Sequence, residues 1–522
     1  VIRGATVVDG SGGPGYRADV GVAGEAISGI GDLGQAEARR VIEVPGHVVA
    51  PGFIDTHTHA EGALLVDPQN PMGVRQGITT LFLGIDGMSY APLSPANYRM
   101  FRRWLGGLLG DPPEDLDMSS VAAFRRHYHR KVAVNTAYLV PQGTVRLEVV
   151  GFRDVPLRGA DLERARRLVR EGLEQGAVGF STGSKYYPGP WADTEELVEL
   201  CRTVQAAGAV YMCEPRSANL ERAHGGHGVR EAVEVARRTA VRLHFAHYRT
   251  SPATAGQLDR LMEFIDPARA DGLDVTFDVY PYPAGSSIPV SLLPSDAQEG
   301  GPDAILARLR DAAERRRIAD YLDRDGSLPM ADVLFSYLPR HPELEGMSLA
   351  DVARRQGQGM GETLCQLLLD AELKIGYLGA PPQSLALWRQ VSRDCMTLLS
   401  RPDYMVCSDM TPAGSFPHPR SYGAFPRFLG RLRREFGGVT LEAMIQRMTD
   451  APARRFGLTR RGRLERGYFA DLVVFDPERV IDNATYDDPR RYPTGIPFVV
   501  VNGQLAVDQE RCTGVLAGHA VP

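Results

Sequence analysis

A chain of 522 residues, 43% hydrophobic and 24% charged, has the make-up of an ordinary globular protein, long enough for a large core plus a smaller accessory domain. Its net charge of −5 excludes the strongly basic balance expected of a nucleic-acid or anionic-membrane binder. No apolar run reaches the roughly 18 residues that a membrane span needs, and six cysteines without a CxxC pair point to reduced thiols in a cytoplasm, not to a disulfide framework.

Taken in chain order, the first fifty residues read as short strands punctuated by Gly and Pro: Val1–Val8, Asp19–Val22, Ala26–Ile30, Arg40–Glu43 and His47–Ala50. Apolar strand-like stretches follow at Thr79–Leu83, Val132–Leu139, Ala177–Phe180, Ala209–Cys213, Arg242–Ala246, Asp274–Val279 and Tyr404–Cys407. Helical patterns lie among them at Asp161–Gln175, Thr194–Ala206, His227–Arg238 and Thr440–Met448. Alternation of β and α over about 400 residues predicts a parallel sheet closed into a (β/α)8 TIM-like barrel. Residues of about 288–348, rich in Asp, Arg, Pro and Gly, interrupt the pattern and read as an inserted helical lid or subdomain. Short strands return at Asp471–Phe475, Pro497–Val501 and Gln504–Val507. The expected organisation is therefore α/β: a small β-sandwich domain from both termini (1–50 and 456–522) beside a barrel over 51–455.

The strongest chemical signal is PGFIDTHTH at Pro51–His59. Positions two apart in an extended strand point the same way, so His57 and His59 present both imidazoles to one side. An apolar run precedes them, which places them at the strand end where barrel enzymes carry their chemistry. Two imidazoles on one face suit Zn²⁺ or a similar ion. Asp86, Glu214, His247 and Asp409 each directly follow a later apolar run, and four such residues in register with the HxH outweigh their separate readings as turn caps or surface pairs.

At this point the chain resembles the amidohydrolase superfamily, and within it the N-acyl-D-amino-acid deacylase (D-aminoacylase) family. The resemblance runs nearly end to end: RQGITT at Arg75–Thr80, GAVGFSTGSKYYPG at Gly176–Gly189, FDVYPYPAGSS at Phe277–Ser287, SDM at Ser408–Met410, HPRSYGAFPRFLGR at His418–Arg431 and RGYFADLVVFDP at Arg466–Pro477. It implies metal binding by His57, His59 and His247, and it implies that Asp409 carries a proton from the attacking water to the leaving amine. Arg249, Tyr280, Ser287 and Arg420 fall where the family holds the substrate α-carboxylate, Arg249 in place of a lysine, and Tyr186 falls near the scissile bond. Two positions depart from the family pattern. Asp86 stands for a metal-bridging cysteine and Glu214 for a histidine, a harder donor set that keeps Zn²⁺ (one or two ions) as the expected cofactor, with Mn²⁺ or Fe²⁺ as alternatives. Lys185 stands where the family is apolar and is a candidate substrate contact.

The expectation is a cytoplasmic metal-dependent hydrolase of an amide next to a carboxylate, an N-acyl-D-amino acid, with a small-molecule substrate and neither nucleic acid nor membrane as partner. The alternatives are a cyclic-amide hydrolase of the hydantoinase or dihydroorotase kind, which wants a carboxylated lysine that none of the three lysines is placed to supply, a non-hydrolytic reaction in the same pocket, and a binding protein.

Overall fold

In a computed structural model, eight apolar stretches pair as one parallel sheet: β1 (Phe53–Asp55), β2 (Ile78–Leu83), β3 (Asn135–Pro141), β4 (Gly179–Thr182), β5 (Val210–Cys213), β6 (Arg242–Phe245), β7 (Val275–Val279) and β8 (Tyr404–Val406). They are hydrogen-bonded in chain order. Every residue of β2 and β3 is buried, as strands must be when helices cover one face and packed side chains the other. The structure describes residues 1–183, 185–325 and 330–522; Ser184, inside the Gly176–Gly189 stretch, and 326–329, inside the expected insertion, lie outside the described residues.

The end strands close the barrel without a ladder of their own. Thr58 makes a single parallel bridge with Met410. Just beyond the strands, the Asp409 amide donates to the His57 carbonyl and the His59 amide to the Met410 carbonyl, both at 2.9 Å. The expected TIM-like barrel is thus present, and its seam lies among the residues singled out for chemistry.

Helices between the strands follow the apolar periodicity. In Gly228–Thr239, Val229, Ala232, Val233 and Ala236 are buried while Arg230, Arg237 and Arg238 face solvent. Thr194–Ala206 starts where the sequence places it, because the Asp193 carboxylate accepts the Glu196 amide at 3.0 Å and satisfies a free N-terminal donor.

The two termini build the β-sandwich. Val48–Pro51 lies between Leu472–Phe475 and Thr6–Val7 in a seven-stranded sheet, and a four-stranded sheet holds Ile2–Arg3, Asp19–Ala23, Ala26–Gly31 and Ile42–Glu43. Val7, Val20, Ile27, Val49, Leu472, Val474 and Val500 form its shared core. Only Gly52 separates the sandwich strand Val48–Pro51 from β1, so the accessory domain is coupled directly to the strand that leads to His57.

Between β7 and β8 the chain makes an excursion longer and less purely helical than the 288–348 segment flagged by composition. It contains a three-stranded antiparallel sheet in the order Ser286–Ser287, Gly376–Gly379, Val333–Tyr337, together with helices such as Gly301–Arg310 and Met360–Asp370. Strands of two to five residues are too short to register as alternation in the sequence. Among the described residues no helix is long and apolar enough to cross a membrane.

Candidate metal centre

Strand alternation builds the first half of the site. Thr56 and Thr58 turn away from the centre and anchor the segment, the Thr56 hydroxyl donating to Asp278 at 2.7 Å and the Thr58 hydroxyl to the Phe82 carbonyl at 2.7 Å. His57 and His59 face the centre, with ring centroids 5.3 Å apart. The His247 ring centroid lies 4.7 Å from that of His57. Asp278, on β7, also accepts from His244 Nε2 at 3.0 Å and from the His247 amide at 2.5 Å, so one buried carboxylate braces both histidine-bearing segments. These donors overcome burial and hold its pKa down to about 2.

Asp86, His247 and Asp409 all adopt left-handed backbone conformations, with φ of 55°, 34° and 52°. Such angles are uncommon outside glycine and mark positions that the surrounding structure over-determines. The chain around Asp86 is tightly packed: a Cβ on Gly84 would lie 2.1 Å from the Leu139 carbonyl, and one on Gly183 2.0 Å from the Asp86 carbonyl. The loop is also pinned by Glu61, whose carboxylate accepts the Gly84 amide at 2.8 Å and the Ser89 hydroxyl at 3.1 Å.

The imidazole Nε2 atoms of His57, His59 and His247 lie 3.2, 3.5 and 3.9 Å from a single oxygen, Asp86 Oδ2. Asp409 Oδ1 is 3.2 Å from His59 Nε2 and 3.6 Å from His57 Nε2, and Glu214 Oε1 is 3.8 Å from His247 Nε2. These spacings match donors gathered about one small cation, since ligands about 2.1 Å from a tetrahedral ion are roughly 3.4 Å apart. The hydrogen-bond pattern agrees: Asp86 Oδ1 and Asp409 Oδ1 are buried without an aligned hydrogen-bond partner among the described residues, a costly arrangement for a purely structural cluster. Three overlapping triads could hold an ion: His57–His59–Asp86, His57–His247–Asp409 and Asp86–Glu214–His247. The donor chemistry, imidazole with carboxylate, fits a divalent transition metal.

Burial alone would raise the Asp86 and Asp409 pKa values. His57 with the other imidazoles, and for Asp409 chiefly Arg420, outweigh it and hold both carboxyls well below the usual range. Burial would likewise lower the His59 pKa, but Asp409 and Asp86 lift it to about 9.

Arg420 is fully buried, with Nη1 2.7 Å from Asp409 Oδ2 and the guanidinium carbon 4.8 Å from the centroid of the Tyr280 ring. The contact with Asp409 is ionic and not an aligned hydrogen bond, so among the described residues all three guanidinium nitrogens lack a hydrogen-bond acceptor. A cavity of about 190 Å³ opens over the cluster, lined by His59, Asp86, Glu214, His247, Asp409 and Arg420 at its base. Its walls come from Lys185 and Tyr186 after β4, from Tyr280 after β7, and from Gly285, Ser286, Ser287, Tyr377 and Gly379 of the excursion. The Tyr186 hydroxyl is 2.8 Å from the Ser287 hydroxyl and ties the two walls together.

An amidohydrolase family model matches residues 158–507. The N-acyl-D-glutamate deacylase of Alcaligenes xylosoxydans xylosoxydans is 37% identical over 509 residues, which cover 96% of this chain and 92% of that protein. The chain is an amidohydrolase of the N-acyl-D-amino-acid deacylase family. The D-aminoacylase of the same organism is 32% identical over 100% of this chain and 97% of its own. Among solved structures, the N-acyl-D-glutamate deacylase of Bordetella bronchiseptica, complexed with zinc and a phosphonate mimic of the tetrahedral intermediate, superposes with a TM-score of 0.82 at 30% identity, covering 100% of this chain and 98% of that one.

Within this amidohydrolase the six candidate ligands and Arg420 converge on one point, and Lys185, Tyr186, Tyr280 and Ser287 line the cavity above it. Arg249 does not reach the cavity wall. It stacks 4.2 Å from the centroid of the Tyr280 ring, and Nη1 donates to the Thr250 carbonyl at 2.8 Å. Of the other two lysines, Lys131 is exposed and Lys374 pairs with Asp111 at 2.9 Å. Sequence reasoning missed Tyr377 and Gly379, brought in by the excursion, and the bracing carboxylates Asp278 and Glu61. Asp278 had a usable signal, a lone carboxylate inside the apolar run VTFDVY, because a buried charge needs partners.

Proposed function

We propose that this amidohydrolase uses zinc to hydrolyse N-acyl-D-amino acids, releasing the carboxylate and the free D-amino acid. One observation carries the reading: a fully buried guanidinium whose three nitrogens find no hydrogen-bond acceptor among the described residues opens into the same cavity as the His/Asp/Glu cluster. Such a group calls for a ligand carboxylate, and Arg420 can grip one with two parallel hydrogen bonds. A carboxylate held there orients the neighbouring amide over Asp409. The low pKa of Asp409 keeps it ionised at neutral pH, ready to accept a proton from the attacking water at Oδ1 and deliver it to the departing nitrogen. Tyr186 and Ser287 supply hydroxyls above the amide.

Bound by His57, His59, His247 and the carboxylates of Asp86, Glu214 and Asp409, zinc supplies a Lewis acid that polarises the carbonyl and acidifies water. The Bordetella relative's zinc and its tetrahedral-intermediate mimic support this assignment. A cavity below the roughly 300–1,000 Å³ of drug-sized sites suits a small substrate. All six cysteines are free and five are buried, which supports a reducing cytoplasm as the place of action.

The test is a matched panel of N-acetyl-D- and N-acetyl-L-amino acids (leucine, methionine, glutamine, glutamate) given to zinc-loaded protein, with free amino acid quantified by chiral chromatography. Release from D substrates with little from their L partners is expected. Equal rates for the two enantiomers, or no release from any D substrate, would overturn the assignment.

A further inference from the structure

Arg420 accounts for one substrate carboxylate. The cavity wall carries a second cation that the reaction does not use. Lys185 is half-buried on that wall, and among the described residues it makes no ion pair; its ammonium is 3.4 Å from the Tyr377 hydroxyl, a neutral group. The remaining carboxylates on the wall, Asp86, Glu214 and Asp409, belong to the cluster of candidate ligands. An ammonium that has given up part of its hydration to face a neutral phenol gains most from an incoming anion.

Lysine and phenol are held in place from two sides. Tyr186, the next residue, is fastened to Ser287 through their hydroxyls, and the Ser286 hydroxyl donates to the Tyr377 carbonyl at 2.7 Å. Ser287 and Tyr377 are also register partners in the excursion sheet. The loop after β4 and the excursion therefore present an ammonium and a hydroxyl side by side, two donors suited to one carboxylate. The names of the relatives leave the side chain open, since one specifies D-glutamate and another does not.

We infer that Lys185, with Tyr377, is the side-chain specificity site, and that the preferred substrate is an N-acyl-D-amino acid bearing a second carboxylate, of the D-glutamate or D-aspartate type. The inference rests on the deacylase reading above. The experiment compares kcat/KM for N-acetyl-D-glutamate with that for its near-isosteric amide, N-acetyl-D-glutamine, in the zinc-loaded wild type and in Lys185→Met and Lys185→Arg. N-acetyl-D-leucine serves as a third substrate. A hydrogen-bonded charge pair of this kind supports a glutamate-to-glutamine preference of roughly 10–100-fold. Lys185→Met should cut that ratio at least tenfold, mainly through KM, and Lys185→Arg should restore most of it. Because the readout is a ratio within one protein, partial loss of folded enzyme does not alter it. Cleavage of leucine and glutamine substrates with no preference for glutamate, or a ratio unchanged in Lys185→Met, would overturn the inference and leave the deacylase reading standing. No cleavage of any N-acyl-D-amino acid would bring down both.

Discussion

Replacing Arg420 with methionine, similar in length but uncharged, separates two roles proposed for one side chain. The guanidinium is fully buried, faces Asp409 at 2.7 Å, and among the described residues its nitrogens find no aligned hydrogen-bond acceptor. Two charge-assisted hydrogen bonds at about 1.5–3 kcal/mol each come to about 3–6 kcal/mol, a loss of roughly 10²–10⁴ in kcat/KM for an N-acetyl-D-amino acid. The assay sets this beside the decarboxylated analogue, an N-alkylacetamide that has the same scissile bond and no carboxylate. Against the analogue the substitution should cost far less at the pH optimum. What remains is the loss of Asp409's counter-ion, which lets burial raise that carboxyl and moves the acid limb of the rate profile to higher pH. Arg420→Lys should fall between, keeping the charge without the fork. Equal losses on the two substrates would refute the reasoning and leave Arg420 acting on Asp409 alone.

Chelation should abolish activity and zinc should restore it; elemental analysis should find one or two ions per chain, fewer in His57→Ala and Asp86→Ala, and a protein that takes up no metal would sink the mechanism. Asp278→Ala strips partners from Thr56, His244 and the His247 amide. Its metal affinity, read by competition with a chromophoric chelator, should drop about 10–100-fold, and wild-type affinity would count against the bracing role. Asp55, fully buried beside the Ser408 and His57 amides, has its pKa raised by burial from 3.8 to about 8. The native state holds this proton more tightly than the unfolded chain, so the contribution to stability is complete below about pH 4 and is lost as pH rises to about 8, on the order of 5 kcal/mol for the group alone. Asp55→Asn should flatten the fall in melting temperature between pH 6 and 9, and parallel profiles in the two proteins would contradict the assignment.

What the sequence made legible followed from strict periodicities. The HxH pair stands out because a strand repeats every two residues, and Asp86, Glu214, His247 and Asp409 because each ends an apolar run. The Thr194 helix start fell where the apolar pattern placed it, and in the structure Asp193 caps it. Less visible were features that depend on distant chain meeting the barrel. Tyr377 reaches the cavity through a four-residue strand whose partners lie in other parts of the excursion, and no local pattern marks it. The left-handed turns at Asp86, His247 and Asp409 were hidden because none of the three is a glycine, and the partner that braces the His247 backbone, the Asp278 carboxylate, comes from another strand. Arg249 shows the converse. It stacks on the same Tyr280 ring as Arg420 and donates to the Thr250 carbonyl, yet it does not line the cavity, a difference that only three dimensions show.

The seam between β8 and β1 is also where the candidate site is completed in chain order. A nascent chain with its first seven barrel strands already carries His57, His59, Asp86, Glu214 and His247, but Asp409 and Arg420 come only with and after β8. The same amides that bring Asp409 to His57 are those that shut the barrel, so the proton carrier and the guanidinium arrive together with the final joint. A chain ending before Asp409 holds five of the six candidate cation ligands but neither the carboxylate nor the guanidinium to which proton transfer and substrate binding are assigned in the proposal.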